Sequence, residues 1–342
     1  MTILLRLAVM SAAFFLLSAS PALAQTNGGV SAGCVATGPN GVGVVTPQCA
    51  APDQNTTLTR AGTRLLDQIP VSRENAIWAV SNVYSNHLDS GALAAKGTTY
   101  FAAAGLDRVL GPGDDWLIGA GFAYLDGKVN APASGGRAGV DVDVTGFGPI
   151  GYLSYEVRPA EGDSVQLTVT GAYFFLDSNS AAIAPFGGVE KRAADGAGGS
   201  VFANASAAYF HGFGKRRNLI GAATGFRLAS NRFKSPLLFD RTDTSFFVRG
   251  SLEYEVAYNV SISGGVGADV PLSNLYLGRG DAQGRLRAPD LIFEYRAGIH
   301  FRPQEDWDIY LQGKGATGEG LRELGGLLTL RFTYDRRDSP EK

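Results

Sequence analysis

The chain carries only three histidines, and one of them lies among residue types that hydrolases use. Ser85, Asn86 and His87 follow one another, and histidine can serve as the base that activates a serine nucleophile. Neighbouring residues of a strand point to opposite faces, however, so Asn86 and His87 cannot act from the same face. We interpret His87, like His211 and His300, as a polar structural residue, and keep lipid hydrolysis as the third of three functional hypotheses.

A second candidate for chemistry is the pair Asp141 and Asp143 in VDVDV. Two carboxylates on one face of a strand could form an acid–base pair or hold a cation. Alternation alone also places such residues together on the polar face of a strand, and we prefer to interpret them as polar residues that line the lumen near a rim. The sequence therefore predicts no catalytic residue, no cofactor and no metal site, and we expect a protein that is not an enzyme.

The elements that would position these residues are alternating strands. In LIFEYRAGIHFRP, for example, Phe293 and Ile299 alternate with Glu294, Arg296 and His300. A period of two residues is typical of a strand with one apolar and one polar face. Twelve such segments are predicted, at residues 75–87, 98–110, 115–126, 140–157, 163–177, 199–213, 217–230, 242–257, 260–270, 289–302, 306–316 and 323–334.

The connections between these segments alternate in length. Short ones at 111–114, 159–162, 214–216, near Asn259 and at 303–305 are interleaved with longer ones at 88–97, 127–139, 178–198, 231–241, 271–288 and 317–322. A soluble sandwich gives no reason for this alternation, whereas an outer-membrane barrel has brief periplasmic turns at one rim and long extracellular loops at the other. The sequence thus predicts an all-β fold, a single transmembrane antiparallel β-barrel of about 12 strands. Only Pro149 falls inside a predicted strand, where we expect a bulge or a bend.

The N-terminus and composition agree with an exported membrane protein. Arg6, the apolar run 7–17 and Ala22-Leu23-Ala24 form a signal-peptide pattern that predicts cleavage after Ala24. The net charge of −2 lacks the basic excess of a nucleic-acid-binding protein. Cys34 and Cys49 lie in the exported part, where a disulfide between them is permitted.

The chain then divides into five predicted segments. Residues 1–24 are the signal peptide, and 25–57 form an irregular arm rich in Gly, Pro and Asn that contains both cysteines. Residues 58–74 form a short helix or linker, which we place in the pore as a hypothesis. Residues 75–334 form the outer-membrane barrel, and 335–342 are a polar tail.

Alternation also assigns a direction to each charged side chain. An arginine facing lipid at the bilayer midplane would cost about 2–4 kcal/mol, so the polar faces must point inward, towards an interior that we expect to be wetted by water. The predicted lumen-lining residues are Arg249, Glu253, Glu294, Arg296, His300 and Arg331.

Several segments resemble the autotransporter β-domain, the translocator of type V secretion. In residues 100–130 a strand with Gly105 and Asp107 precedes a short turn and a strand with Gly119, Gly121 and Tyr124. The segments VTGFGPIGYLSYEV (144–157) and GGLLTLRFTY (325–334) are similar to further strands of that family. The resemblance implies a twelve-stranded barrel with a linker through the pore, inserted by the barrel-assembly machinery.

We therefore expect a monomeric barrel in the outer membrane of a Gram-negative bacterium, in contact with outer-membrane lipid. Our first hypothesis is an autotransporter-like translocator with little or no passenger, because residues 25–57 are short and carry no repeats. The alternative is a small porin-like channel or a structural outer-membrane protein.

Overall fold

The computed structural model describes residues 35–37, 43–45, 74–90, 93–111, 113, 115–131, 139–183, 192–214, 218–233, 241–272 and 291–335. Two short strands, β1 (Val35–Thr37) and β2 (Gly43–Val45), pair antiparallel within the arm that was predicted to be irregular. The predicted signal peptide, the linker up to residue 73 and both cysteines lie outside the described residues, and so does the tail beyond Asp335. Among the described residues, no helix is long and apolar enough to cross a membrane.

Twelve further strands form one closed antiparallel barrel, which confirms the predicted fold class. Each strand pairs with its sequence neighbours, and β14 pairs with β3 to close the cylinder. The strands are β3 (Asn75–Ser90), β4 (Leu93–Leu110), β5 (Trp116–Ala131), β6 (Gly139–Val157), β7 (Asp163–Ile183), β8 (Arg192–Phe213), β9 (Asn218–Phe233), β10 (Arg241–Ala257), β11 (Val260–Pro271), β12 (Ile292–Phe301), β13 (Trp307–Gly318) and β14 (Leu321–Asp335).

The strands are longer than predicted on one side of the barrel. β7 and β8 contain 21 and 22 residues, whereas β12 contains 10. A tilted strand needs about 9–11 residues to cross the bilayer. Strands β5 to β8 consequently extend beyond the membrane at one rim. This is the rim opposite the start of β3 and the end of β14, which is the extracellular rim.

Two of the connections predicted to be longer are only two residues long. Only residues 91 and 92 separate β3 from β4, because pairing continues to Ser90 and Leu93. Glu319 and Gly320 join β13 to β14, and Gly320 has a φ of 68° that favours glycine. On the periplasmic side, the predicted turn at Asn259 is present, with a φ of 61° that Asn tolerates better than most residues.

Pro149 does not cause a bulge, which was one of the two distortions that we expected there. The register between β6 and β7 is the same on both sides of it, at Phe147–Phe175 and at Ile150–Ala172. The pairs formed by residues 148 and 149 are missing from this ladder, because proline has no N–H to donate. A side chain at Gly148 would overlap the carbonyl oxygen of Tyr173, so the two backbones approach closely here without a shift in register.

Candidate functional site

The interior of the barrel is divided into two unlike halves. The inward side chains of β3 to β8, which we call the apolar half, include large buried hydrophobic residues, whereas those of β9 to β14, which we call the charged half, include paired ionic groups. Outward side chains such as Phe122 and Phe293 are 72% and 55% exposed, as expected of a lipid-facing surface.

Aromatic side chains fill the apolar half. Phe174 on β7 contacts Phe101 on β4 and Phe202 on β8 edge-on, with ring centroids 6.0 Å and 5.6 Å apart. Trp78 on β3 similarly lies 6.3 Å from Tyr152 on β6. Since β4 and β7 are not neighbours in the sheet, these contacts cross the interior. The expectation of a wetted interior is therefore wrong for this half, which is packed like the core of a soluble protein.

At the centre of the charged half lies the Arg227 cluster, formed by Arg227, Asp269, Glu294 and Arg249. Arg227 Nη1 donates to Asp269 Oδ2 at 2.7 Å and to Glu294 Oε1 at 3.1 Å. Arg249 Nε donates to the other oxygen of Glu294 at 2.9 Å. Two arginines thus face two carboxylates, and pairing offsets the cost of burying these charges.

The ring of Phe247 stabilises both arginines of this cluster. The guanidinium carbons of Arg227 and Arg249 lie 4.5 Å and 4.6 Å from its centroid. An aromatic face attracts cations at this distance. The Phe247 ring therefore contacts both positive charges favourably.

A second group, the His300 cluster, lies towards the periplasmic rim. His300 Nδ1 is 2.9 Å from Glu253 Oε1, and Nε2 is 2.9 Å from Asp308 Oδ1. The imidazole also stacks on Tyr310, with centroids 3.8 Å apart. Arg302 Nε donates to Asp308 Oδ1 at 2.7 Å. The cluster joins β10, β12 and β13 at the interior surface.

Arg331, on β14, contacts the residue that directly precedes β3. Its Nη2 donates to the backbone oxygen of Glu74 at 2.9 Å, and Thr333 Oγ1 donates to the Glu74 carboxylate at 3.0 Å. Its Nε lies 3.9 Å from Asp107 Oδ2. Asp107 accepts hydrogen bonds from Trp78 Nε1, at 2.8 Å, and from the hydroxyl of Tyr152.

Two glycines of the motif that suggested the family resemblance make room for these partners of Asp107. A side chain at Gly105 would overlap the ring of Trp78, and one at Gly119 would overlap the ring of Tyr152. The glycine spacing in this segment therefore has a packing explanation.

The structure brings the predicted lumen residues together in part. Arg249 and Glu294 meet in the Arg227 cluster, Glu253 and His300 in the His300 cluster, and Arg331 lies at the seam between β14 and β3. Arg296 lies against Gly265 on β11 and lines a small cavity of about 40 Å³ with Arg249 and Lys314.

Sequence reasoning missed the interior roles of four residues: Arg227, Asp269, Asp308 and Asp107, of which Asp107 was noted only as part of the family motif. Arg227 lies in the segment 217–230, whose alternation is weak, although a single arginine between Phe226 and Leu228 is a usable signal. The partners of these residues lie on other strands, and only the tertiary register identifies them.

The predicted lumenal position of Asp141 and Asp143 is wrong, because the pair belongs to neither half of the interior. Val142 and Val144 are the buried residues of this segment, so the aspartates face outward near the extracellular rim. Asp143 lies 3.6 Å from Lys128, and both side chains are exposed. The polar face of β6 here is the outer one, because this part of the strand stands above the membrane.

The histidines form no hydrolase site among the described residues. Nδ1 of His87 has no hydrogen-bond partner there, and His211 contacts Asp163 at 2.7 Å on the exposed periplasmic rim. His300 is held between two carboxylates.

A closed barrel with an apolar exterior and internally paired charges defines a class, the outer-membrane β-barrels. Residues 78–223 match the family model described as the autotransporter β-domain. No significantly similar sequence was found among curated proteins. The chain is thus a barrel of the Gram-negative outer membrane that resembles an autotransporter translocator domain, as the sequence predicted.

Solved structures show the same fold. The translocator domain of the autotransporter NalP from Neisseria meningitidis matches 82% of this chain and 95% of its own, with a TM-score of 0.57 and 10% identity. The transport unit of the autotransporter AIDA-I from Escherichia coli matches 83% and 99%, with the same TM-score and identity. The β-domain of the Bordetella autotransporter BrkA matches 76% and 100%, with a TM-score of 0.53 and 13% identity.

Proposed function

We propose that this protein is a translocator-type barrel whose interior holds the segment that precedes β3, and that it exports little or no passenger. The observation that carries this proposal is the position of Glu74. It contacts Arg331 and Thr333, which are both inward-facing and 3% exposed. Glu74 thus lies on the inner side of the periplasmic mouth, and this position supports a path of the preceding linker into the interior.

Charge at the mouth supports the same path. A cavity of about 710 Å³ at this end is lined by the carboxylates of Glu74, Glu161, Glu305 and Asp308, together with Arg302. The preceding segment, LTRAGTRLLDQIPVSR, contributes Arg60, Arg64 and Arg73. Opposite charges on the segment and the mouth favour association.

In this proposal residues 25–57 are a short segment displayed outside the cell, and the disulfide between Cys34 and Cys49 would close it. The barrel acts as a monomer, since pairing of β14 with β3 closes it within one chain. Its insertion depends on the barrel-assembly machinery, and it performs no catalysis.

Protease accessibility tests where the N-terminal segment lies. A protease site is inserted after Gly41, between β1 and β2, and intact cells are treated with the protease. We expect cleavage that leaves the barrel intact. The control carries the same site after Lys342, which should be cut only once the outer membrane is permeabilised. Cleavage of the Gly41 site only in permeabilised cells would contradict the proposal.

Conductance in planar bilayers separates this function from a porin-like channel. We expect the full mature chain to be almost closed, and deletion of residues 25–73 to raise its conductance through the charged half. A steady, large conductance of the full chain would instead support a channel. An unchanged conductance after the deletion would show that the linker lies elsewhere.

A further inference from the structure

Three basic side chains stand in one row on the outer surface near the extracellular rim. Arg322 on β14 pairs directly with His87 on β3, and His87 pairs with Lys96 on β4. Directly opposite residues of neighbouring strands have Cβ atoms about 4.5–5.5 Å apart. Lys96 and Arg322 are exposed and His87 is half-buried, so the two long basic side chains present positive charge to the surroundings of the barrel.

This basic row stands immediately above the lipid-facing surface. The next outward-facing residue below Arg322 is Leu324, which is 65% exposed. The second outward-facing residues below His87 and Lys96 are Val83 and Tyr100, which are 46% and 40% exposed. Apolar and aromatic residues of this kind mark the edge of the hydrocarbon layer. The row therefore lies at the level of the lipid headgroups of the outer leaflet.

A groove runs down the same strands beneath the row. Its floor is made of small outward side chains, Ala79, Ser81, Ala102 and Ala104, and its volume is about 470 Å³. Leu328 and Leu330 form one wall, and Phe122 and Tyr124 form the other. The β3 strand rises roughly 20 Å between Ser81 and His87, so the groove begins within reach of a chain that descends from the basic row.

The neighbouring part of the rim carries the opposite charge. Asp126, Asp143 and Asp177 face outward on β5, β6 and β7, above Tyr124, Phe147 and Phe175. Lys128, which lies between the two regions, is paired with Asp143. An anionic headgroup is consequently attracted to the β14–β3–β4 face and repelled from the β5–β7 face.

We propose that this face is a binding site for a phosphorylated glycolipid of the outer leaflet, that is, lipopolysaccharide. Arg322, His87 and Lys96 bind its phosphate groups, and the groove between Leu328 and Tyr124 receives one acyl chain. Positive charge at headgroup level above an apolar groove matches both parts of this molecule, whereas a zwitterionic phospholipid lacks the net negative charge. The site requires only that the barrel spans the outer membrane and is independent of any transport function.

Native mass spectrometry of the purified full mature chain in detergent tests the site, with lipopolysaccharide, phosphatidylethanolamine and inorganic phosphate as separate probes. We expect lipopolysaccharide to bind most tightly. The double variant Lys96→Gln/Arg322→Gln should bind it about 25-fold more weakly, because each basic residue near an anionic lipid surface contributes roughly a fivefold effect. The control Arg158→Gln/Arg232→Gln removes two exposed arginines elsewhere and should bind like the wild type.

A second variant tests the groove without changing charge. Ala102→Phe fills its floor, and Ala297→Phe adds the same side chain to the exposed outer face of β12. Only Ala102→Phe should lose bound lipopolysaccharide. Heat-modifiable migration on gels confirms that every variant compared is folded. Equal binding by wild type and the Lys96/Arg322 variant, equal binding of phosphatidylethanolamine, or an adduct of inorganic phosphate that survives as well as the lipid would overturn the proposal.

Discussion

The two halves of the barrel interior are filled with side chains in different ways. In the apolar half, Phe174 is fully buried between Phe101 and Phe202, and these rings carry no charge that has to be compensated. In the charged half, Arg227 is equally inaccessible, and it is tolerated because two carboxylates and an aromatic ring surround it. A barrel interior can therefore be filled either by hydrophobic packing or by paired charges. Only the second leaves a polar surface along which a chain or solute can move.

The apolar half should show the largest loss of stability on truncation. Phe174→Ala removes a fully buried ring, and we expect it to lower the free energy of unfolding by about 3–5 kcal/mol. Phe175→Ala is the matched control, because the adjacent ring faces outward and is 53% exposed. Urea unfolding of the refolded barrel in liposomes, followed by tryptophan fluorescence, measures both. Equal losses for the two variants would show that the apolar half is not a packed core.

The difference between Phe174 and Phe175 also shows what the sequence could not predict. Alternation predicted all twelve barrel strands, because most of them pair an apolar face with a polar one. In residues 173–175, three aromatic residues follow one another, and the pattern cannot tell which of them faces lipid. The pairing of Arg227 with Glu294 was equally hidden, because it joins β9 to β12 and depends on the closure of the sheet.

Removal of one charge should have a somewhat smaller effect in the charged half. Arg227→Met leaves Asp269 without its 2.7 Å partner, while Glu294 keeps Arg249. Breaking a buried ion pair by removal of one partner costs about 3–5 kcal/mol, and the remaining pair should reduce this to about 2–3 kcal/mol in the same unfolding experiment. Arg249→Met should cost less, since its side chain is more exposed than that of Arg227. If Arg249→Met proves the more damaging, the centre of the cluster has been placed wrongly.

Glycine positions test the packing of Tyr152 at the periplasmic end of the apolar half. Gly119→Ala places a methyl group in the ring of Tyr152 and weakens its hydrogen bond to Asp107. Overpacking of this kind costs about 1–3 kcal/mol. Gly326→Ala is the control, because a methyl group there meets no atom within 4 Å, and its effect should stay within about 0.5 kcal/mol. Comparable midpoints of urea unfolding for both variants would mean that Tyr152 moves aside freely.

The smallest change in unfolding free energy is expected for an ion pair that lies outside both halves of the interior. This pair serves as the reference for the buried pairs of the charged half. Lys128 and Asp143 are 3.6 Å apart, with side chains 72% and 62% exposed. Lys128→Met should change the unfolding free energy by less than about 0.5 kcal/mol, because water screens exposed pairs. The substitution matches Arg227→Met in the loss of one positive charge and in the apolar replacement. A clear difference between the two variants would therefore measure burial inside the barrel, whereas similar values would show that the charged half is as well hydrated as the outer rim.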